Sequence, residues 1–280
     1  MFKNLKIGIA LGGGGARGCA HIGVLEVLEK YNIYPDYICG TSMGSVIGSL
    51  YASGMSVKEM ENYSKKTKTL NLIDFNIGAL KNGLFMGNKM QKYIERFSKN
   101  LNIEDLKIPF SCVSADLRSS KQYVFKDGKL SLAVRASSCV PGIFKPIVKD
   151  NMLLVDGGVI NNVPCDVVKQ SGVDYVIGVD CIGLPDFKDK NFKSVFEILL
   201  TSFDIAGTQL AHLKAKKNAN FLISFSTGVG ASNYNEKSIE KAILVGKLET
   251  EKIMQKLLKS LEKMSLKKQT NKKWFANFVC

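Results

Sequence analysis

Histidine is almost missing from this chain: His21 and His212 are the two in 280 residues. That leaves little for a histidine-built metal site, and only two bases for a Ser-His-Asp triad. The seven cysteines contain no Cys-x-x-Cys pair, so zinc spacing is absent. Cys19, Cys39, Cys112, Cys139, Cys165 and Cys181 stand singly among apolar or small residues, and reduced thiols in a cytoplasmic protein are the expectation. Cys280 is the last residue, which excludes a prenylation box. Arginine is scarce too: Arg17, Arg96, Arg118 and Arg135 are four of 39 basic residues, within a net charge of +14. Reading base edges leans on arginine forks, so no nucleic-acid partner is expected. Lysine-rich charge suits an anionic membrane surface or plain solubility. No apolar run reaches the roughly 18 residues of a membrane span. Met1 to Lys6 leads directly into a strand-like stretch without an apolar leader, so export by that route is not expected.

What is present is an alternation of strands and helices. With 45% apolar residues the chain has material for a sizeable core. Strands are predicted at 6–11, 37–39, 108–115, 121–126, 151–156, 174–181 and 221–225. Helices are predicted at 19–30, 45–52, 57–68, 88–99, 130–137 and 192–217. From Asn235 onward the apolar residues fall on one broad helical face. The division expected is a body over 5–230, a docked amphipathic helix over 231–265 and a disordered basic tail over 266–280. That tail, with Trp274, Phe275 and Phe278, and the lysine-rich surface are candidates for peripheral membrane contact. The stretch 69–87 mixes Leu84, Phe85 and Met86 with glycines and lysines. It reads as a cap over an apolar pocket, a loop that touches lipid, or core packing.

Three motifs carry chemistry. Gly40-Thr41-Ser42-Met43-Gly44 lies between a strand and a helix, the context of a nucleophile elbow, in which a sharp turn exposes the serine hydroxyl. The first strand runs into Gly12-Gly13-Gly14-Gly15-Ala16-Arg17-Gly18. The pattern invites a dinucleotide reading, which needs an acidic residue ending the next strand; that strand ends in Cys39-Gly40-Thr41-Ser42 instead. The other use of such a loop is an oxyanion hole, with the amides of Gly13, Gly14 and Gly15 joined by that of Met43. Downstream, Asp156-Gly157-Gly158 ends a strand-like run, as a bare hairpin turn or as a catalytic turn.

A nucleophilic serine needs a base. His21 sits one turn into the helix after the glycine loop, a packing or positioning place. His212 lies in an amphipathic helix, where surface placement is the simple account. Neither follows a strand, so the sequence argues against a Ser-His-Asp triad. Among the strand-end carboxylates Asp116, Asp156 and Asp180, Asp156 is preferred because two glycines leave room for a substrate.

Taken together, the glycine loop with Arg17-Gly18, the elbow and Asp-Gly-Gly resemble the patatin-like phospholipases. The resemblance extends over roughly Leu5 to Cys181 and includes Arg135-Ala136-Ser137 with Pro141, Phe144 and Pro146. It implies a Ser42–Asp156 dyad and an oxyanion hole from the Gly13–Gly15 amides, with Gly40, Gly44, Gly157 and Gly158 supporting the motifs. It implies a single-domain, three-layer α/β/α fold with a mostly parallel sheet, and hydrolysis of lipid acyl esters without metal or cofactor. Two other functions stay open: a lipid-binding regulator on the same fold with little turnover, and a dinucleotide-binding protein.

Overall fold

Alternation within Ile7-Gly8-Ile9-Ala10-Leu11 sets the layering. Ile7, Ile9 and Leu11 enter one hydrophobic core and Ala10 enters another on the opposite face. A strand buried on both faces needs a helical layer on each. The computed structural model, which describes residues 2, 4–66, 74, 83–183 and 194–278, supplies both.

Eight strands form one sheet. They are β1 (Ile7–Leu11), β2 (Tyr37–Thr41), β3 (Phe110–Asp116), β4 (Lys121–Phe125), β5 (Ile147–Lys149), β6 (Met152–Asp156), β7 (Tyr175–Asp180) and β8 (Phe221–Ser224). Along the sheet the order is β5-β6-β3-β2-β1-β7-β8, with β4 also paired to β3. The run from β3 to β8 is parallel, while β4 and β6 pair with β3 antiparallel. The mostly parallel α/β/α architecture is therefore the one the family resemblance implies.

The described helices are α1 (Ala20–Lys30), α2 (Met43–Ala52), α3 (Val57–Lys66), α4 (Asn88–Phe97), α5 (Leu130–Ser137), α6 (Cys165–Gln170), α7 (Val195–Asn218) and α8 (Glu236–Phe278). Residues of α1, α2, α3, α5 and α8 pack into the larger core. Val167 and Val168 of α6, with Ala211 and Ala215 of α7, cover the other face. Helix α8 continues through residues 266–278, the stretch expected as a disordered tail. Most of the 69–87 stretch, read as a cap, a lipid-touching loop or core packing, lies outside the described residues; Asp74 and 83–87 are within them.

One register detail positions the site. Thr41, the last residue of β2, pairs with Val113 of β3, and Asp156, the last of β6, pairs with Ser114. Two strands distant in sequence thus end on consecutive residues of one neighbour.

Candidate active site

The elbow is a strained turn held from several sides. Ser42 has φ 52° and ψ −125°, an uncommon backbone for a residue with a side chain. Its N–H donates to Ser137 Oγ at 3.0 Å, and that hydroxyl donates to the Val113 carbonyl at 2.6 Å. Its carbonyl accepts the Ser45 hydroxyl at 2.6 Å and the Ser45 N–H at 2.8 Å. The turn closes because Gly44 lies against β1: a Cβ there would sit 2.1 Å from the Leu11 carbonyl oxygen. Gly40 has the same kind of reason, since its Cβ would meet the Gly44 carbonyl at 2.5 Å. Ser42 is 8% exposed, and it opens on a cavity.

Asp156 lines that same cavity and is buried. One carboxylate oxygen accepts the Gly158 N–H at 2.8 Å, while the other has no hydrogen-bond partner among the described residues. Burial pushes its pKa up to about 6, Asp204 adds to the rise, and the Ser42 hydroxyl and Gly158 N–H pull it back. The Ser42 hydroxyl is thus near enough to favour the charged carboxylate, yet Oδ2 has no donor at bonding geometry. Ser42 and Asp156 face the same cavity, with no Ser42–Asp156 hydrogen bond at bonding geometry among the described residues. Gly157-Gly158 opens a short 3₁₀ turn, Gly157–Val159, in place of the type I′ hairpin, because neither glycine has positive φ. Gly157 packs so tightly on β3 that a Cβ would lie 2.3 Å from the Val113 carbonyl oxygen.

In the glycine loop, Gly14 and Gly15 have φ of 153° and 59°, which turns the chain toward the cavity they line. Their N–H groups have no hydrogen-bond partner among the described residues. Met43, the first residue of α2, also lines the cavity, and helix starts leave such amides without helical partners. Gly13 departs from the expectation: its N–H donates to the Asn162 carbonyl at 3.2 Å and is not free for an oxyanion. Arg17 holds the loop from behind. Its Nε donates to the Gly14 carbonyl at 2.9 Å and its guanidinium pairs with Asp204 of α7 at 2.8 Å. Gly18 leaves the room that the Met43 side chain fills.

His21 is buried, and its Nε2 lies 2.7 Å from the Gly12 carbonyl. Burial lowers its pKa to about 4, so the neutral ring donates to that carbonyl and fixes the loop. His212 is not the plain surface residue expected: its Nε2 is 2.9 Å from a carboxylate oxygen of the fully buried Asp180. That bond raises its pKa above the ordinary value. Neither histidine lines the cavity.

The cavity has a volume of about 320 Å³. Gly14, Gly15, Ser42 and Asp156 form its polar end, and Val46, Phe85, Met90, Ile143 and Phe144 give it an apolar wall. Phe85 belongs to the described end of the 69–87 stretch. Its N–H donates to the Ile143 carbonyl at 2.8 Å, and its carbonyl accepts the Lys145 N–H at 2.8 Å. Arg135 clamps both segments, donating from Nε to the Gly87 carbonyl at 3.1 Å and from Nη2 to those of Met86 and Lys145. The sequence analysis named Arg135 and Ser137 without a role, and it missed Asn162 and Asp204. Asn162 lies just past Asp-Gly-Gly, so position alone could have flagged it; nothing in the sequence flags Asp204.

Comparison with known proteins identifies the family. A family model described as patatin-like phospholipase matches residues 9–169. Patatin-like phospholipase domain-containing protein 6 of Mus musculus is 39% identical over 191 residues, 65% of this chain and 14% of that protein. Lysophospholipase NTE1 of Candida albicans is 31% identical over 196 residues, 69% of this chain and 14% of that one. This chain therefore spans about one seventh of the length of these relatives. Among solved structures, VipD from Legionella pneumophila superposes with a TM-score of 0.59 at 14% identity, covering 93% of this chain and 67% of that one. That likeness bears on the fold.

Proposed function

The chain belongs to the patatin-like phospholipase family, and on that premise we propose that it is a serine acyl hydrolase of lipid esters, working through a Ser42–Asp156 dyad. The observation that carries the reading is the meeting of Ser42, on its strained turn, with a buried Asp156 that keeps one oxygen unpartnered in the same cavity.

The steps follow from the groups present. Ser42 Oγ attacks the acyl carbonyl carbon while Asp156 takes the hydroxyl proton. The carbonyl oxygen becomes an oxyanion, held by the N–H groups of Gly14, Gly15 and Met43. Such donors are each worth about 3 kcal/mol at the transition state. The intermediate collapses, the C–O bond to the leaving alcohol breaks, and that oxygen receives the proton from Asp156. Water then attacks the acyl-enzyme with Asp156 again accepting a proton. The second collapse releases the fatty acid and returns the proton to Ser42. A carboxyl with a pKa of about 6 suits both halves: it is ionised at neutral pH, yet a stronger base than a free aspartate.

The apolar wall supports an acyl chain as the part of the substrate bound there, and the names of the relatives support phospholipid or lysophospholipid esters. Peripheral contact with an anionic membrane from the cytoplasmic side belongs to the same reading and draws on the net charge of +14. Among the described residues no helix is long and apolar enough to cross a membrane.

Ser42→Ala tests the proposal. Turnover of a p-nitrophenyl acyl ester should fall by at least about a thousandfold with the fold retained. Ester turnover that persists in this variant ends the reading. A fluorophosphonate probe that labels wild type and spares Ser42→Ala supports an enzyme; absence of labelling supports a regulator without turnover.

A further inference from the structure

Among the described residues that line the cavity, three carry a buried polar atom without a partner: besides Ser138 Oγ there are two of opposite hydrogen-bonding sense. One is Asp156 Oδ2, an acceptor, and the other is Asn162 Nδ2, a donor. Buried polar groups are nearly always paired, and each exception calls for a reason. Asn162 is 6% exposed and lines the cavity with Ser42 and Asp156. Its backbone is committed, because its carbonyl accepts the Gly13 N–H at 3.2 Å. The side-chain amide is the free part.

The position of that amide is fixed by what surrounds it. A Cβ on Gly13 would lie 2.6 Å from Asn162 Oδ1 and 3.0 Å from Ser42 Cβ. One on Gly158 would lie 3.0 Å from Asp156 Oδ1 and 3.2 Å from Asn162 Oδ1. The amide tip therefore sits between the elbow and the carboxylate turn. Asp156 Oδ1 and Asn162 Oδ1, both acceptors, lie within 3.2 Å of the point a Gly158 Cβ would occupy, and Asn162 Nδ2 has no hydrogen-bond partner among the described residues. A half-turn about the last side-chain bond exchanges the two ends. It puts an N–H₂ donor where Asn162 Oδ1 now lies, on the Gly158 side of the cavity that Asp156 Oδ1 shares.

We propose that Asn162 is a positioning residue for Asp156: its side-chain amide turns its nitrogen to the carboxylate, holds it toward Ser42, and favours its ionised form. This rests on the dyad reading. The amide is the counterweight to burial at this carboxylate. Burial pushes the carboxyl toward its neutral state, and a donor bond to the charged state opposes that. It also leaves the proton-accepting oxygen aimed at the serine, since Gly158 and Asn162 fix the rest of the group. No bond is made or broken by Asn162 itself.

The test is the pH profile of kcat/KM for a soluble p-nitrophenyl ester in wild type, Asn162→Ala and Asn162→Asp. Both substitutions keep the backbone carbonyl that holds Gly13. In wild type the acidic limb should fall below about 6, the value Asp156 has in the arrangement where Asn162 Nδ2 is unpartnered. Asn162→Ala should move that limb upward by about one pH unit, and Asn162→Asp further, because a like charge is added beside the carboxylate. Thermal melting is measured alongside. A lower kcat with an unmoved limb overturns the proposal and marks Asn162 as an oxyanion donor instead; a lower melting temperature with an unmoved limb also overturns it and marks a structural residue. Ser42→Ala separates the two readings. If Ser42→Ala retains turnover, the dyad itself fails. If it is inactive and the Asn162 limbs coincide with wild type, only the role of Asn162 fails.

Discussion

Replacing Asp156 by asparagine should destroy activity and strengthen the fold. The carboxyl's pKa rises from 3.8 to about 6 on burial. A raised carboxyl pKa means that the folded state resists ionisation, so the sign is unfavourable at high pH. Below 3.8 the group is protonated folded or unfolded and contributes nothing. As pH rises the unfolded chain ionises first, and stability is lost until the folded group has ionised as well. Every tenfold weakening of the acid on folding costs about 1.36 kcal/mol, so the full cost above pH 7 is about 3 kcal/mol. At pH 5 about half of it applies. Asparagine keeps an oxygen for the Gly158 N–H and carries no charge, so it escapes this cost. Urea unfolding of wild type and Asp156→Asn at pH 8 and pH 5 measures the difference. The variant should be more stable at pH 8 by up to about 3 kcal/mol, with the gain roughly halved at pH 5. A variant less stable than wild type at pH 8, or a gain independent of pH, would refute the reasoning.

Other outcomes follow from the same geometry. Ser42→Gly should be more stable than Ser42→Ala by roughly 1 kcal/mol, because glycine accepts the positive φ without strain; chemical denaturation of the two inactive proteins compares them. Gly44→Ala should lose soluble, folded protein or nearly all turnover, since its Cβ would strike the Leu11 carbonyl at 2.1 Å; circular dichroism with an ester assay decides. His212 has a raised pKa from its bond to Asp180. It should add stability that is fully present below pH 6.5 and lost as pH rises through its folded pKa. His212→Gln should flatten that slope in pH-dependent melts and cost far less activity than Asp156→Asn. Arg135→Lys cannot reproduce three carbonyl contacts from a planar fork. It should reduce turnover of long-chain esters more than of short-chain ones, because the wall carrying Phe85 and Phe144 loosens.

The elbow, the glycine loop and Asp156 were legible in the sequence because their requirements are local. Small residues on both sides of Ser42 reflect contacts with the backbone of the turn and of β1, and a five-residue motif records them. The layering was legible for a similar reason, since buried parallel strands leave apolar runs such as Tyr175-Val176-Ile177. What escaped depends on partners remote in the chain. His212 looked like a surface residue because its partner, Asp180, comes to α7 from the end of β7. The Gly13 amide looked free because the carbonyl that takes it belongs to Asn162. Strand β5 is three residues long and α6 is six, too short for periodicity to separate from the surrounding turns.

The glycine loop also leans on chain from beyond the family-matched stretch. Ala16 N–H donates to the Ala231 carbonyl at 2.8 Å, and Gly15 lies so close that a Cβ would sit 2.3 Å from the same oxygen. Ala231 lies past the 9–169 segment matched to the family model. The recognisable segment is therefore not a transplantable cassette. Cut out alone, it would lose the buttress behind its own glycine loop, and exchanging the 231 region between relatives would retune the loop while every signature residue stayed untouched.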